Sequence, residues 1–221
     1  MADLDPATTA LLTVECQNGV VGEESALPEL AKEARDSGML DRVAALVEAA
    51  RGAGVQVLHA VAERRPDGLG ANANARLFRA AGKLPVRQLT GSPAVQVAAP
   101  ITVAEQDLVL RRLHGLSPMA GTDLDALLRN LGIRTLVVTG VSSNIAIPNT
   151  VFDAVNLGYQ VVVPSDAIAG VPAACTAEVI RNSLSLVAAI TTAEALLAQW
   201  TPAPIVAVVN DAGRPEPSEG H

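Results

Sequence analysis

The chain has 221 residues, of which 49% are hydrophobic and 18% charged, and its formal net charge is −7. This composition predicts a globular protein with a substantial core and argues against a largely disordered chain. The negative charge and an aromatic content of only 2% argue against nucleic-acid binding, which relies on basic surfaces and stacking side chains.

The first residues, MADLDPATTA, lack the basic and apolar regions of a signal peptide. Apolar runs elsewhere in the sequence are shorter than the roughly 20 residues that span a bilayer. These features predict a cytoplasmic protein without a membrane partner.

The cysteine and histidine residues do not predict a metal site. Cys16 and Cys175 lie far apart in the sequence, which gives neither a metal-ligand spacing nor a disulfide framework. The three histidines, His59, His114 and His221, are scattered as well.

Short apolar runs alternate with helical patterns along the chain. Strands are predicted at 9–15, 55–61, 107–111, 134–140 and 158–164. Helices are predicted within 26–53, through Val151 and Val155, and at 173–186 and 193–200. A further helix is predicted between a Thr122 cap and a Gly132 stop, with apolar residues at Leu124, Leu127, Leu128 and Leu131. The alternation predicts an α/β fold, a three-layer, doubly wound and mostly parallel sheet with helices on both faces.

Residues 1–200 are predicted to form a single domain, and two segments do not fit the alternation. Residues 62–106 are rich in Gly, Pro and Asn, and we expect them to form a lid or the rim of a pocket. Residues 201–221 form a Pro-rich tail, in which the apolar stretch 205–209 is a candidate for docking on a neighbouring subunit.

Polar side chains end three of the predicted strands, and a parallel sheet brings such ends to one edge. Glu15 ends the first strand, Arg111 and Arg112 the third, and residues 140–144 the fourth. Because Glu15 follows an apolar run, its charge needs a partner if it is buried. A neighbouring arginine lowers the pKa of such a carboxyl, whereas apolar packing raises it, and the sequence leaves both outcomes open.

Residues 136–150, LVVTGVSSNIAIPNT, predict a strand, a turn and the start of a helix. In α/β proteins such a turn presents reactive side chains and backbone N–H groups. The residue best placed to react is Ala146, which has no reactive group.

Three stretches carry a family resemblance: TALLTVECQNG, DLVLRRLHGLSPMAGTDLDALLRNLGIRTLVVTGVSSN and NTVFDAVNLGYQVVVPSDAIAG. With the weaker GSPAVQVAAP, they cover most of residues 9–200. In order and spacing they resemble the isochorismatase-like cysteine hydrolases, which include nicotinamidases, carbamoylsarcosine amidases and isochorismatases. The resemblance implies an isochorismatase-like, Rossmann-like fold and a hydrolase acting on a small molecule.

The amidases of that family use an Asp–Lys–Cys triad, and the matching positions here differ at all three residues. The aspartate corresponds to Glu15 and the cysteine to Ala146. The lysine corresponds to Arg112 when counted from Asp107 and to Leu113 when counted back from Gly121. We favour Arg112, because it keeps a positive charge facing a carboxylate.

Without a cysteine at position 146, a thiol mechanism is not expected. Strand alternation points Cys16 away from Glu15, and Cys175 lies in a predicted helix, so both are interpreted as core residues. Ser142 and Ser143 are interpreted as turn and N-cap residues.

Some isochorismatases also lack the cysteine and protonate a vinyl ether from the aspartate. This resemblance implies that Glu15 acts as general acid or base on a small carboxylated metabolite, and that Arg112 binds its carboxylate. The alternative is a catalytically inactive paralogue that binds a small molecule or has a structural role.

The resemblance also implies the remaining properties of the site. Nicotinamidases bind a metal through an aspartate and several histidines after the second strand, whereas this chain offers only His59, within a strand, and Asp67, so we expect no metal and no cofactor. His114 is a candidate for substrate binding, with a plain loop histidine as the equal alternative. The other candidates for substrate binding are Val141, Ser142, Ser143, Asn144 and Ile145.

Two further expectations follow from the family. The Val141–Ser142 peptide bond is expected to be cis, with the N–H groups of residues 143–146 and Arg112 holding an oxyanion. Association as a homodimer or homotetramer is expected as well.

Overall fold

A computed structural model describes residues 4–201 and shows, within them, one seven-stranded sheet with parallel pairing throughout. Its strands are β1 Thr9–Val14, β2 Gln56–Ala62, β3 Leu108–Arg112, β4 Thr135–Val141, β5 Gln160–Pro164, β6 Ile168–Ala169 and β7 Ala189–Thr191. The spatial order is β3-β2-β1-β4-β5-β7, and β6 pairs with β4. The five predicted strands are confirmed, with the second, third and fourth shifted by one residue; β6 and β7 were not predicted.

Helices cover both faces of this sheet, which confirms the predicted fold class. They are α1 Asn18–Val21, α2 Pro28–Asp36, α3 Met39–Ala53, α4 Arg76–Ala81, α5 Leu124–Asn130, α6 Ala146–Asn156, α7 Ala173–Asn182 and α8 Ala193–Trp200. Short 3-10 helices occupy Pro6–Thr8, Pro93–Val95 and Leu184–Leu186.

Several predicted helix boundaries were wrong. The pattern over 26–53 forms two helices, because Gly38 adopts a left-handed φ of 70° between them. The helix predicted at 173–186 ends at Asn182. Leu131, one of the apolar positions of the helix predicted after Thr122, is 42% exposed and follows the last residue of α5, Asn130.

The Thr122 cap is only partly right. The Thr122 hydroxyl accepts the Leu124 N–H at 3.1 Å, but Asp123 occupies the N-cap position of α5. The stop at Gly132 is confirmed by its left-handed φ of 71°.

Two apolar cores hold the three layers together. On one face of the sheet, side chains of α3 and α8 such as Val43, Leu46 and Leu196 pack against Leu11 and Val137. On the other face, side chains of α5 and α6 such as Leu128 and Val151 pack against Leu12 and Val138. Because both faces of β1 and β4 are covered, every residue of these two strands is buried.

The order in which the chain adds strands reverses between β1 and β4. These two strands are neighbours in the sheet, although β2 and β3 lie between them in the sequence. Their ends meet at Val14 and Gly140, which are paired in register. In doubly wound sheets a ligand crevice opens at such a point, beyond the carboxyl ends of the strands. The topology therefore predicts where the site lies.

Residues 62–106 run across this edge of the sheet and include α4. The segment is tied to itself by bonds from Arg64 N–H to Gln88 O, at 2.7 Å, and from Thr90 N–H to Arg64 O, at 2.9 Å. The apolar stretch 205–209 lies outside the described residues. Within residues 4–201, no helix combines the length and apolar character that a membrane span requires.

Candidate active site

Glu15 begins the loop after β1 in a left-handed conformation, with φ of 54°. Such a conformation costs a non-glycine residue about 1–3 kcal/mol. Its N–H donates to Ala60 O at 2.8 Å, which continues the pairing of β1 with β2 through the turn. The Glu15 side chain faces a cavity at the edge of the sheet, whereas Cys16 packs into the core on the α3 side.

Arg112, the last residue of β3, extends its side chain to Glu15 across the end of β2. Its Nη2 donates to Glu15 Oε1 and, at 3.3 Å, to Leu116 O. The side chain is only 4% exposed. Its Nε and Nη1 atoms are buried without a hydrogen-bond partner among the described residues. A buried guanidinium with free N–H groups is suited to bind an oxyanion.

Burial raises the pKa of the Glu15 carboxyl above its ordinary value of 4.5, and the opposing effect of the Arg112 charge is smaller. The structure therefore decides between the two outcomes that the sequence left open. A carboxyl whose pKa is raised keeps its proton to higher pH, which is what a general acid requires.

The turn after β4 differs from the expected oxyanion site in two of its N–H groups. The Val141–Ser142 peptide bond is cis, as the resemblance implies. However, Ser143 N–H donates to Ala169 O at 2.8 Å, and Ile145 N–H donates to Ser142 O at 3.1 Å. Because both groups are occupied by backbone acceptors, the expectation that they hold a ligand was wrong.

The N–H groups of Ser142 and Ala146 are better placed to bind a ligand. Both residues line the cavity, and neither N–H has a backbone acceptor among the described residues. The predicted N-cap role of the serines was wrong, since Ile145 occupies the N-cap of α6 without a side-chain bond. The Ser143 hydroxyl instead contacts the Thr176 hydroxyl at 2.8 Å.

Six of the nine candidate residues line one cavity of about 260 Å³: Glu15, Arg112, His114, Ser142, Ile145 and Ala146. The other three do not. Val141 is fully buried in the core, Ser143 is directed towards Thr176, and the exposed Asn144 donates its amide to Val171 O at 3.2 Å. Leu113 lines the cavity as well, but the ion pair with Glu15 favours Arg112 as the counterpart of the family lysine.

Glu63 also lines the cavity and was not predicted. It directly follows β2, its side chain is 8% exposed, and it accepts the Thr90 hydroxyl at 3.1 Å. Arg111 Nη1 lies 3.6 Å from its Oε2. The rule that identified Glu15, that polar residues ending parallel strands meet at one edge, also applies to Glu63.

The residues after β2 do not fit a metal of the nicotinamidase kind. His59 is fully buried, with Nδ1 at 2.8 Å from Thr13 Oγ1 and Nε2 at 3.3 Å from Asp107 Oδ2. Asp67 is paired with Arg65. Residues 4–201 contain no group of three His, Cys, Asp or Glu side chains arranged to hold a metal ion. His59 is therefore a core residue whose two ring nitrogens both have hydrogen-bond partners.

Neither cysteine lines the cavity. Cys16 is buried, and burial together with the nearby Glu15 charge raises the pKa of its thiol to about 12. Cys175 is half-buried and lies outside both apolar cores, so its interpretation as a core residue was wrong.

Known proteins resemble the chain over most of its length. It is 30% identical to a streptothricin hydrolase of Streptomyces noursei over 167 residues, which is 75% of this chain but only 51% of that protein. The chain thus spans about half the length of this relative. It is 31% identical to a ureidoacrylate amidohydrolase of Methylorubrum extorquens over 183 residues, 76% of this chain and 73% of the relative. A probable inactive nicotinamidase of Arabidopsis thaliana is 30% identical over 163 residues, 73% of this chain and 80% of the relative.

Solved structures agree with the fold. A cysteine hydrolase from Pseudomonas syringae pv. phaseolicola superposes with a TM-score of 0.78 at 25% identity, covering 90% of this chain and 95% of that one. An isochorismatase family protein from Desulfovibrio vulgaris gives a TM-score of 0.75 at 28% identity, covering 86% and 96%. The isochorismatase domain model matches residues 9–195. The chain therefore belongs to the isochorismatase family.

Proposed function

We propose that this isochorismatase-family protein hydrolyses a small carboxylated metabolite without a thiol nucleophile, with Glu15 as the general acid or base. One observation carries the proposal: a carboxyl that is 21% exposed, and whose pKa is raised by its partial burial, faces the cavity beside a buried arginine. A protonated carboxyl in such a setting is suited to give its proton to a substrate.

The absence of a thiol from the cavity supports this mechanism. Ala146, at the start of α6, lines the cavity where the family resemblance expects the nucleophile, and it has no reactive group. Cys16 is buried with a thiol pKa of about 12, which keeps the reactive thiolate scarce. Water is therefore the proposed nucleophile.

Hydrolysis of a vinyl ether, or a related acid-catalysed hydrolysis, fits these groups. The Glu15 carboxyl would give its proton to the terminal vinyl carbon, which leaves an oxocarbenium ion on the substrate and a carboxylate on Glu15. Water then adds to the ion and returns one proton to Glu15, and the hemiketal breaks into a carbonyl compound and an alcohol. Arg112 stabilises the carboxylate that Glu15 becomes, so its charge assists the step that the raised pKa prepares.

Arg112 and two backbone N–H groups are the proposed anchors for the substrate. Either the Nη1 or the Nε group of Arg112, neither of which has a hydrogen-bond partner among the described residues, can donate to one oxygen of a substrate carboxylate. The N–H groups of Ser142 and Ala146 can hold a further oxygen at the N-terminus of α6.

A second candidate function is binding without catalysis in the same cavity. Ala146 and the similarity to a plant protein described as a probable inactive nicotinamidase favour it. In that case Glu15 and Arg112 serve recognition alone.

Turnover of isochorismate, ureidoacrylate and nicotinamide by the wild type, Glu15→Gln and the exposed control Glu105→Gln separates the two functions. We expect the vinyl ether isochorismate to be hydrolysed, with a loss of roughly 100-fold or more in Glu15→Gln and none in Glu105→Gln. Binding without turnover by the wild type would establish the non-catalytic function instead.

Association as a homodimer or homotetramer and a cytoplasmic location stay predictions. Light scattering at micromolar concentration measures the first, and a monomer there would contradict it. Fractionation of cells with an antibody against the chain measures the second.

A further inference from the structure

One part of the cavity has no role in the proposed chemistry. Away from Glu15 and Arg112, its wall is formed by apolar side chains from the loop before α2, from α2, from α4 and from the chain that follows α4. We call this part the lid chamber; it is lined by Leu27, Leu30, Leu77, Phe78, Leu84 and Val86.

All side chains of the lid chamber except the buried Leu30 are left partly in contact with water. Helix α4 buries none of its residues, although Leu77 and Phe78 are large and apolar. Leu77 is 49% exposed, and Leu27 is 37% exposed. Covering apolar surface gains about 25 cal/mol per Å². A ligand with an apolar group therefore gains affinity by occupying the chamber.

Backbone and side-chain hydrogen bonds hold the chamber in place. Arg64 N–H bonds Gln88 O at 2.7 Å, and the Gln88 side chain donates to Gly19 O at 3.3 Å. These bonds connect the end of β2, the chain after α4 and α1. A preformed cavity binds with less loss of chain entropy than a wall that orders on binding.

Charge restricts the ligand further. Residues 62–106, which supply α4, hold six basic and three acidic residues, whereas the rest of the sequence holds ten basic and twenty acidic residues. Arg64 and Arg87 of this segment line the cavity. The positive segment on an otherwise negative chain favours entry of an anion.

We propose that the lid chamber binds an apolar group of the substrate, so that the substrate class is a carboxylate joined to a single aromatic ring or a short branched alkyl group. The inference rests on the proposed function in placing the carboxylate at Arg112. The cavity volume of about 260 Å³ lies just below the roughly 300–1,000 Å³ of drug-sized pockets, which favours a small ligand.

Calorimetric titration of the wild type with 3-phenylpropanoate, acetate and benzylamine tests the ligand class. We expect 3-phenylpropanoate to bind at least roughly tenfold more tightly than acetate, because the ring covers apolar wall, and benzylamine to bind more weakly than 3-phenylpropanoate. Equal affinity for acetate and 3-phenylpropanoate, or no binding of 3-phenylpropanoate, would overturn the proposal. Preference for benzylamine would overturn its anionic part.

Phe78→Ala and the more exposed Leu77→Asn test the chamber wall, and Leu69→Asn is the matched control. Leu69 belongs to the same segment and is 65% exposed, but it does not line the cavity. We expect each wall variant to weaken 3-phenylpropanoate roughly fivefold or more, with little change for acetate, and Leu69→Asn to change neither. Leu77→Asn keeps the test available if Phe78→Ala does not fold. Equal effects of the wall variants and the control would contradict the proposal.

These titrations do not depend on turnover, so the two proposals fail separately. If Phe78→Ala loses affinity for 3-phenylpropanoate and no substrate is hydrolysed, the lid chamber stands and the proposed hydrolysis fails. If isochorismate is hydrolysed with the same kcat/KM by the wild type and both wall variants, the hydrolysis stands and the chamber proposal fails.

Discussion

The Arg112 guanidinium donates a hydrogen bond to the Glu15 carboxylate, and burial nevertheless keeps the pKa of Glu15 above its ordinary value. Glu15 directly follows β1 and Arg112 ends β3, and these two strands are separated in the sheet by β2. A buried ion pair loses hydration that its attraction does not always recover. Here the loss exceeds the gain for Glu15, so the carboxyl holds its proton more strongly than usual and the pair is not expected to contribute strongly to stability.

The pH dependence of unfolding measures this balance. Because the folded-state pKa of Glu15 is raised, the folded chain holds a proton that the unfolded chain has released above about 4.5. The stabilisation from Glu15 is complete below that value and is lost as pH rises through the folded-state pKa. We expect the free energy of unfolding of the wild type, relative to Glu15→Gln, to fall as pH increases from about 4 to 8.

Urea unfolding of the wild type, Glu15→Gln and the control Glu105→Gln gives these differences. If the free energy of unfolding of the wild type instead rose relative to that of Glu15→Gln over the same range, the Arg112 charge would have a larger effect than burial on the pKa of Glu15. If the proposed function holds, kcat should also fall as pH rises through the same pKa, since the general acid loses its proton.

Thiol labelling tests the absence of a cysteine from the chemistry. We expect iodoacetamide to label the half-buried Cys175, to leave the buried Cys16 unlabelled until the protein unfolds, and to leave ligand binding and activity intact. In Ala146→Cys, we expect iodoacetamide to label the introduced thiol faster than it labels Cys175, because position 146 lines the cavity at the N-terminus of α6. Mass spectrometry after timed labelling follows each site. Rapid inactivation of the wild type, prevented by 3-phenylpropanoate, would reveal a reactive thiol that the structure does not assign.

The sequence predicted the long strands and helices and the strand-end residues of the site. It did not predict the features that depend on which segments pair in the folded chain. β6 and β7 have two and three residues, too few to show a periodic pattern. Missing β6 led directly to the error at Ser143, because the Ser143 N–H expected to bind a ligand donates to Ala169 in that strand. Similarly, the apolar spacing over 26–53 continues across Gly38, and only the left-handed backbone there reveals two helices.

The sequence did not determine the direction of the Glu15 pKa shift, for a related reason. Strand order determines that Arg112 reaches across β2, and burial determines which influence prevails; neither is a local property of the sequence. For residues 62–106 the sequence predicted only a lid or a pocket rim, because the segment has few periodic signals from which the wall residues of the lid chamber can be identified.

Gly140 is predicted to tolerate no side chain. It has φ of 105°, and a Cβ there would overlap Val14 O and lie 2.9 Å from Cys16 Sγ. Because the first contact is with backbone at the centre of the sheet, Gly140→Ala must displace β1 or β4. We expect a loss of at least about 3 kcal/mol in the free energy of unfolding.

Gly132→Ala is the matched control for this effect. Gly132 is also left-handed, with φ of 71°, but nothing lies within 4 Å of its added Cβ. It should lose only the conformational cost, about 1–2 kcal/mol. Urea denaturation compares the two variants, and equal losses would show that β1 and β4 can separate without further cost.

His59 gives a second pH effect, of opposite sign to that of Glu15. It lies fully buried between Thr13 and Asp107, and burial lowers its pKa below 6.5 despite the hydrogen bond to Asp107. The folded state therefore favours the neutral ring, and the unfolded chain takes up the proton first as pH falls. Its contribution to stability is complete above about 6.5 and is lost as pH falls from there towards the lowered folded-state pKa.

His59→Gln removes this titration while leaving a side chain that can still hydrogen-bond to Thr13. Because Glu15 changes stability in the other direction over part of the same range, the informative quantity is the difference between the wild type and His59→Gln at each pH. At about pH 8 that difference reports packing and hydrogen bonding alone, which serves as the internal control. Between about pH 7 and 5 we expect the wild type to lose stability relative to the variant. A constant difference over that range would show that the buried ring accepts its proton in the folded state as readily as in the unfolded chain, with Asp107 compensating fully for burial.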